Sequence, residues 1–223
     1  RRHGEMQWIS RITKAFEEDR FRLYYQEIIA VMPHQNGFQH FEVLLRMLDE
    51  NGEVIPPGVF IPAAERYNLM PAEDRWVIRT LLSSRSEEWR RLWEEHAGRE
   101  ETFPILCAVN LSATSLNDEM FLAFLKEQIE YYGMPPQALC LEITETAAIA
   151  NLNKASHFMH ELSRLGCRFA LDDFGSGMSS FAYLRDLPVH YLKIDGAFVR
   201  AMDQNLVNHA MVEAIARIAS VMG

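Results

Sequence analysis

Two adjacent carboxylates, Asp172 and Asp173, stand where a short apolar run gives way to glycines. Residues 169–171 are typical of a buried parallel strand, and Gly175 and Gly177 predict a loop after it. Two carboxylates side by side are costly to bury unless a cation compensates them. The pattern therefore indicates either an edge that faces a metal ion or a turn in which both acids are solvated.

Other polar side chains lie at or near the ends of neighbouring apolar runs, namely Asn110, Glu142 and Lys193. Glu42 and Arg46 interrupt a further apolar run, which indicates either a mutual salt bridge, edge positions or a functional site. Oxygen ligands without His or Cys favour a hard cation, Mg²⁺ or Mn²⁺. The neighbouring runs thus favour the metal-facing interpretation of Asp172 and Asp173.

The elements that must position these side chains alternate between strand and helix. The predicted strands are six, near residues 21–31, 38–47, 103–110, 139–143, 168–172 and 190–194. The first two could pair as a hairpin, and a capping signal at Ser86 predicts a helix start there. Short connections between strands and helices predict an α/β fold with a parallel sheet, whose strand ends meet at one edge. That edge is where chemistry occurs in such folds.

The composition of the chain excludes some classes of protein. The chain has 223 residues, 48% of them hydrophobic, which is enough for one core. The net charge of −9 argues against a general nucleic-acid binder. Without a membrane-length apolar run or a signal peptide, we expect a cytoplasmic domain that makes no membrane contact, although its protein could be membrane-anchored. Cys107, Cys140 and Cys167 predict buried thiols and no disulfide.

Ordered motifs from about residue 10 onward resemble those of EAL domains. The matching stretches are EVLLR at 42–46, NLS at 110–112, EITE at 142–145, DDFGSG at 172–177 and LKID at 192–195. EAL domains are modified TIM (β/α)8 barrels that hydrolyse cyclic di-GMP to the linear dinucleotide pGpG. The resemblance implies that fold and that activity here, with cyclic di-GMP as the substrate.

The resemblance also implies ligands for two divalent ions, Mg²⁺ or Mn²⁺, which activate the attacking water. The implied ligands are Glu42, Asn110, Glu142, Asp172 and Asp173. Asp172 would bridge the two ions. Val43, Glu27 and Met178 stand where the family usually has Ala, Pro and Tyr, and none of these departures removes a ligand.

Further residues have implied roles beside the ligands. Lys193 would position the attacking water and stabilise charge, and it forms the implied catalytic group with Asp173 and Glu145. Glu145 would also hold the loop of residues 172–180. Asp195 would contact ligand residues rather than the metal ions. The implied substrate contacts are Gln26, Leu44 and Arg46, with Gln26 at the nucleotide and Arg46 at a phosphate.

Several expectations concern organisation. Residues 1–19 resemble the lead-in that joins an upstream GGDEF or sensor domain, and residues 20–223 resemble the EAL domain itself. The resemblance implies a homodimer through helices beside the loop of residues 172–180. The alternative function is an inactive EAL module that binds cyclic di-GMP as a receptor; the retained ligand set favours the enzyme.

The strand count creates one more expectation. A closed barrel needs eight strands, and the family's last two carry a Glu motif and a Gln that do not occur here. We therefore expect the natural domain to continue beyond residue 223. We also expect the 223 residues alone to bind metal weakly and to lack hydrolysis.

Overall fold

The computed structural model describes residues 2–31, 38–96, 103–177 and 181–222, with side chains from residue 7 onward. These residues form one mixed sheet with helices packed beside it. The strands are β1 (Phe21–Ile28), β2 (Gln39–Leu48), β3 (Val54–Ile55), β4 (Ile105–Asn110), β5 (Leu139–Thr144), β6 (Arg168–Phe174) and β7 (Tyr191–Ile194). The helices are α1 (Arg2–Glu17), α2 (Pro57–Arg66), α3 (Met70–Glu95), α4 (Ala113–Leu116), α5 (Glu119–Tyr132), α6 (Glu145–Ala150), α7 (Leu152–Ser163), α8 (Gly196–Val199) and α9 (Leu206–Met222).

The sheet order is β1-β2-β4-β5-β6-β7. β1 runs antiparallel to β2, as the possible hairpin suggested, and every later neighbour along this path is parallel. β3 is an additional short strand that pairs antiparallel with the end of β2 after a turn at Gly52, whose φ is +84°. All six predicted strands are therefore present, and the parallel part brings the ends of β2 and β4–β7 to one edge.

The two faces of the sheet carry different side chains because strand residues alternate between faces. The outer face carries Val109, Leu141 and Phe169, which pack with apolar helix residues in the largest core cluster. The inner face carries small or slender residues. These are Leu106, Ala108, Cys140 and Ala170, with Tyr191 packed against them. All three cysteines are free and buried, as predicted.

The helices follow local signals with one exception. α5 begins after Asp118, whose Oδ1 accepts from the Met120 N–H at 2.9 Å, and ends at Gly133 in the left-handed region. The helix start predicted at Ser86 is wrong, because α3 runs unbroken through this residue. Ser86 is 3% exposed and its hydroxyl contacts Met134 Sδ at 3.6 Å, so packing rather than capping uses this side chain.

Helix α1 packs on the rest of the domain. Ile12 and Ala15 are fully buried and share a cluster with Phe21, Met47 and Phe60. Within the described ranges, no helix combines the length and the apolar character needed to span a membrane.

The burial of Ile12 predicts a stability effect. Ile12→Ala should lower the free energy of unfolding by about 2–4 kcal/mol, because it leaves a cavity between α1 and the domain. Chemical denaturation measures this value. Thr13→Ala, at the exposed neighbouring position, is the matched control and should change little. Equal effects of the two substitutions would show that α1 does not dock in solution.

Candidate active site

The inner face places one ammonium among three carboxylates at the edge where the parallel strands end. Lys193 Nζ on β7 donates to Glu142 Oε2 on β5 at 2.7 Å and to Glu42 Oε2 on β2 at 3.0 Å. Asp172 Oδ1 on β6 lies 3.9 Å from the same nitrogen. Asn110 Nδ2 on β4 donates to Glu42 Oε1 at 2.9 Å. Five successive neighbours in the sheet therefore contribute to one cluster, the carboxylate cluster.

The register of the strands explains why these residues meet. Asn110 lies opposite Glu142, and Asp172 lies opposite Thr144, two residues beyond Glu142. Each side chain belongs to the inner-facing set of its own strand, because strand residues alternate between faces. Alternation and parallel register alone thus bring the carboxylate cluster together.

The charges of the carboxylate cluster do not balance. Three carboxylates around one ammonium leave a formal excess of two negative charges. Burial, with the charges of Glu42 and Asp172, outweighs the opposing hydrogen bond and charge of Lys193 and raises the pKa of Glu142 to about 7. Burial lowers the pKa of Lys193, but its bonds to Glu142 and Glu42 outweigh this and keep the ammonium charged.

The charge excess bears on whether a divalent cation fits the carboxylate cluster. Carboxylate and amide oxygens are ligands that hard cations prefer, and one divalent ion would offset the excess. Among the residues that the structure describes, no group of three His, Cys, Asp or Glu side chains is arranged to hold a metal as it stands. The Lys193 ammonium lies between the carboxylates and offsets part of their negative charge. The donor chemistry therefore fits a divalent ion that competes with Lys193.

Asp172 and Asp173, just before the last residue of β6, lie in an irregular stretch of backbone. The pairing of β6 with β7 shifts register between Leu171 and Phe174, and Asp173 has a φ of +52°. The Asp173 N–H donates to Asp172 Oδ1 at 2.9 Å, while the Asp173 side chain is exposed. Burial and the charges of Asp172 and Asp195 raise the pKa of Asp173. The adjacent acids therefore differ: Asp172 belongs to the carboxylate cluster, and Asp173 stands at its rim.

Glu145 anchors the loop after β6. Its carboxylate is 1% exposed and accepts the Gly175 N–H at 2.9 Å and the Tyr183 hydroxyl. The negative Glu145 side chain adds to burial in raising the pKa of Tyr183. Residues 178–180, which complete the predicted loop and include Met178, lie outside the described part of the chain. Glu145 therefore contacts the start of this loop and the turn that follows it.

The predicted substrate-contacting residues share the inner face of β1 and β2. Gln26 lies opposite Glu42 in the antiparallel register, and Leu44 lies opposite Tyr24. Arg46 Cζ lies 5.6 Å from the centroid of the Tyr24 ring. These residues line a surface that continues from the carboxylate cluster.

Asp195 has a different position from the predicted ligands. Its Oδ1 accepts the Ala197 N–H at 2.7 Å, which caps the start of α8. Its backbone N–H donates to the Phe174 carbonyl at 3.2 Å. Asp195 thus fixes the chain directly after β7, two residues beyond Lys193.

The sequence patterns do not single out Glu73 and Asp74 at the start of α3. Both are buried, and Asp74 Oδ2 accepts from the Ser112 hydroxyl at 2.6 Å and the Ser112 N–H at 3.1 Å. A signal was available for Glu73, since it lies four residues before Val77 and eight before Leu81, on the same buried helix stripe. A charged run at a helix start is ordinarily solvated, which is why the pattern conceals a buried acid.

Comparisons with known proteins give the chain a family. The sequence model of the EAL domain matches residues 9–223. The chain is 41% identical over 219 residues to the cyclic di-GMP phosphodiesterase PdeB of Shewanella oneidensis, covering 97% of this chain and 24% of that protein. The chain spans about a quarter of the length of the curated relatives it matches.

The fold of this chain is also similar to that of solved structures. The FimX EAL domain from Pseudomonas aeruginosa, bound to c-di-GMP, has a TM-score of 0.82 and 28% identity, covering 96% of this chain and 81% of that one. The PaMucR phosphodiesterase, in complex with c-di-GMP, has a TM-score of 0.81 and 28% identity over 96% of this chain and 83% of that one. The predicted α/β fold of the modified TIM-barrel type is confirmed.

The position of Lys193 predicts that a metal ion can replace its charge. Lys193→Met should lower the free energy of unfolding by roughly 2–4 kcal/mol, because Glu142 loses its buried partner but can take up a proton. Mn²⁺ should restore melting temperature more in this variant than in the unaltered chain. Thermal melts with and without Mn²⁺ measure both effects.

Lys14→Met, at an exposed position of α1, controls for loss of a lysine and should respond to Mn²⁺ as the unaltered chain does. Equal Mn²⁺ shifts in all three proteins would contradict competition between the metal and Lys193.

Proposed function

Because this chain belongs to the EAL domain family, we propose that it is the catalytic part of a cyclic di-GMP phosphodiesterase that requires Mg²⁺ or Mn²⁺ and yields pGpG. The observation that carries this proposal is the position of Lys193 Nζ, in contact with both Glu42 and Glu142. A binding module needs neither the carboxylates at the strand ends nor an ammonium to compensate them. A hydrolase needs a cationic group where negative charge develops on the phosphate.

The proposed metal ligands are Glu42, Asn110, Glu142, Asp172 and Asp173. Bound divalent ions supply an acidified water and charge neutralisation for the phosphodiester. Hydrolysis adds water across one of the two phosphodiester bonds; the bond from phosphorus to a 3′-oxygen breaks, which leaves a 3′-hydroxyl and a 5′-phosphate. The excess negative charge of the carboxylate cluster would otherwise repel this anionic substrate.

The chain's own side chains orient the reaction. Lys193 would hold the attacking water and stabilise the developing charge, and the position of its ammonium among the proposed ligand carboxylates supports this role. Arg46 beside Tyr24 suits a phosphate of the substrate, and Gln26 opposite Glu42 suits a nucleotide. Glu145 keeps the loop after Asp172 in place through the Gly175 N–H.

Activity of two variants tests these roles. In the natural protein at its full length, Asp172→Asn should abolish metal-dependent turnover, because it removes a charged oxygen from the ligand set. Lys193→Ala should retain metal binding and slow the reaction by at least ~10². Chromatography of pGpG and calorimetry of Mn²⁺ binding measure the two properties separately.

Two results would overturn the proposal. Equal loss of metal affinity in both variants would show that Lys193 is structural. Cyclic di-GMP binding without pGpG under either metal would replace the enzyme by the receptor alternative.

We also propose a homodimer through α8 and the start of α9. Exposed apolar side chains gather there, with Leu206 88% and Val207 70% exposed. Gly175, with φ +94°, lies so close to α9 that an added Cβ would come within 2.9 Å of Ile215 Cδ1. The loop that follows Asp172 is therefore in contact with the proposed dimer helices.

Leu206→Glu should convert the dimer to a monomer in light scattering at micromolar concentration, because it places a charge in an apolar contact. Leu165→Glu, at an exposed apolar position after α7, is the control and should remain dimeric. An unaltered protein that is monomeric and fully active would rule out the dimer as a requirement.

A further inference from the structure

A cavity of about 290 Å³ adjoins the carboxylate cluster. Its walls come from the end of β2, from α2, from the start of α3 and from the chain after β4. Asn110 belongs to both, because it lines the cavity and also donates to Glu42. The volume is near the lower end of the range for small-molecule pockets, roughly 300–1,000 Å³, which suits one ring system rather than a whole dinucleotide.

The cavity contains a buried carboxyl group that no group of the described residues satisfies. Glu73 is 1% exposed, and within the described part of the chain neither of its carboxyl oxygens has a hydrogen-bond partner. Buried polar groups are almost always paired, so an unpaired one calls for an explanation. Apolar neighbours such as Ile61, Met70 and Val77 line the same cavity and supply no donor.

The neighbouring acids do not share this property. Asp74 already accepts two hydrogen bonds from Ser112, and Glu65 is exposed at the cavity rim. Burial, together with the charges of Asp74 and Glu65, raises the pKa of Glu73 to about 8. A ligand that donates two N–H groups would supply what the ionised form of Glu73 lacks.

We propose that Glu73 is a specificity-determining residue whose carboxyl group accepts hydrogen bonds from the donor edge of one guanine of the substrate. This inference rests on the proposed function. Guanine presents two adjacent donors, N1–H and the 2-amino group, which match the two oxygens of a carboxylate. Hypoxanthine lacks the 2-amino group, and adenine presents an acceptor at N1. The apolar walls would cover the ring faces.

Asn110 lines the cavity and also belongs to the carboxylate cluster, so Glu73 and this cluster lie on either side of one shared wall. A base in the cavity therefore lies beside the edge where the phosphodiester would react. Arg46 and Leu44, the proposed substrate contacts on β2, line the same cavity. One nucleotide could thus contact Glu73 through its base while its phosphate faces the carboxylate cluster.

Calorimetric titration in EDTA, which prevents turnover, tests the inference with cyclic di-GMP and with its inosine analogue, cyclic di-IMP. The unaltered protein should bind cyclic di-GMP at least ~10-fold more tightly than cyclic di-IMP, because a polar site rejects a ligand that leaves it unpaired. Glu73→Met should lose at least ~10-fold in cyclic di-GMP affinity and bind both ligands equally. Glu87→Met, at an exposed position of the same helix, should match the unaltered protein.

Thermal melts separate recognition from folding. Glu73→Met should melt at or above the unaltered protein, because it removes an unpaired buried carboxyl at similar volume. If it melts lower, Glu73→Gln, which keeps the volume and one acceptor oxygen, takes its place in the same comparison and should show a smaller loss of affinity.

Preserved discrimination in the Glu73 variants would overturn the inference, as would equal binding of both ligands by the unaltered protein. In either case the proposed function stands. An unaltered protein that binds neither ligand would overturn the proposed function and this inference with it.

Discussion

The contact on which the site depends is the ion-pair arrangement around Lys193. Its ammonium compensates Glu142, which is buried, and Glu42, which also accepts from Asn110. Without this positive charge, carboxylates from three strands would repel each other in a region of low dielectric. With it, the carboxylate cluster is still short of positive charge. The same arrangement therefore stabilises the folded edge and leaves a negative charge that the proposed divalent cation would offset.

The sheet makes this contact possible through small side chains. Ala108, Cys140 and Ala170 occupy the inner face one step below the polar residues, and their small side chains pack together beneath the carboxylate cluster. The outer face carries the bulk of the core and anchors the helices. The outer face thus holds the helices, and the inner face carries the candidate site. Both follow from the alternation of strand residues between faces. The loop after β6 is held separately, by Glu145.

Much of this could be predicted from sequence because local patterns and short crossovers determine it. Strand ends at Asn110, Glu142 and Asp172 follow from apolar runs, and parallel register places them together. Ser86 misleads because a capping pattern and a packed mid-helix serine look alike without their partners. Glu73 escapes notice because its burial depends on β2 and on the chain after β4, which are distant in sequence. Long-range contacts, rather than local propensity, decide both cases.

We propose that a divalent ion binds among the carboxylates and competes with Lys193. Anomalous diffraction from crystals soaked in Mn²⁺ tests this directly. We predict an anomalous peak bounded by Glu42, Asn110, Glu142 and Asp172, with Lys193 Nζ moved away from at least one of its two glutamate partners. Full Mn²⁺ occupancy elsewhere, with both Lys193 contacts intact at 2.7 and 3.0 Å, would contradict the claim.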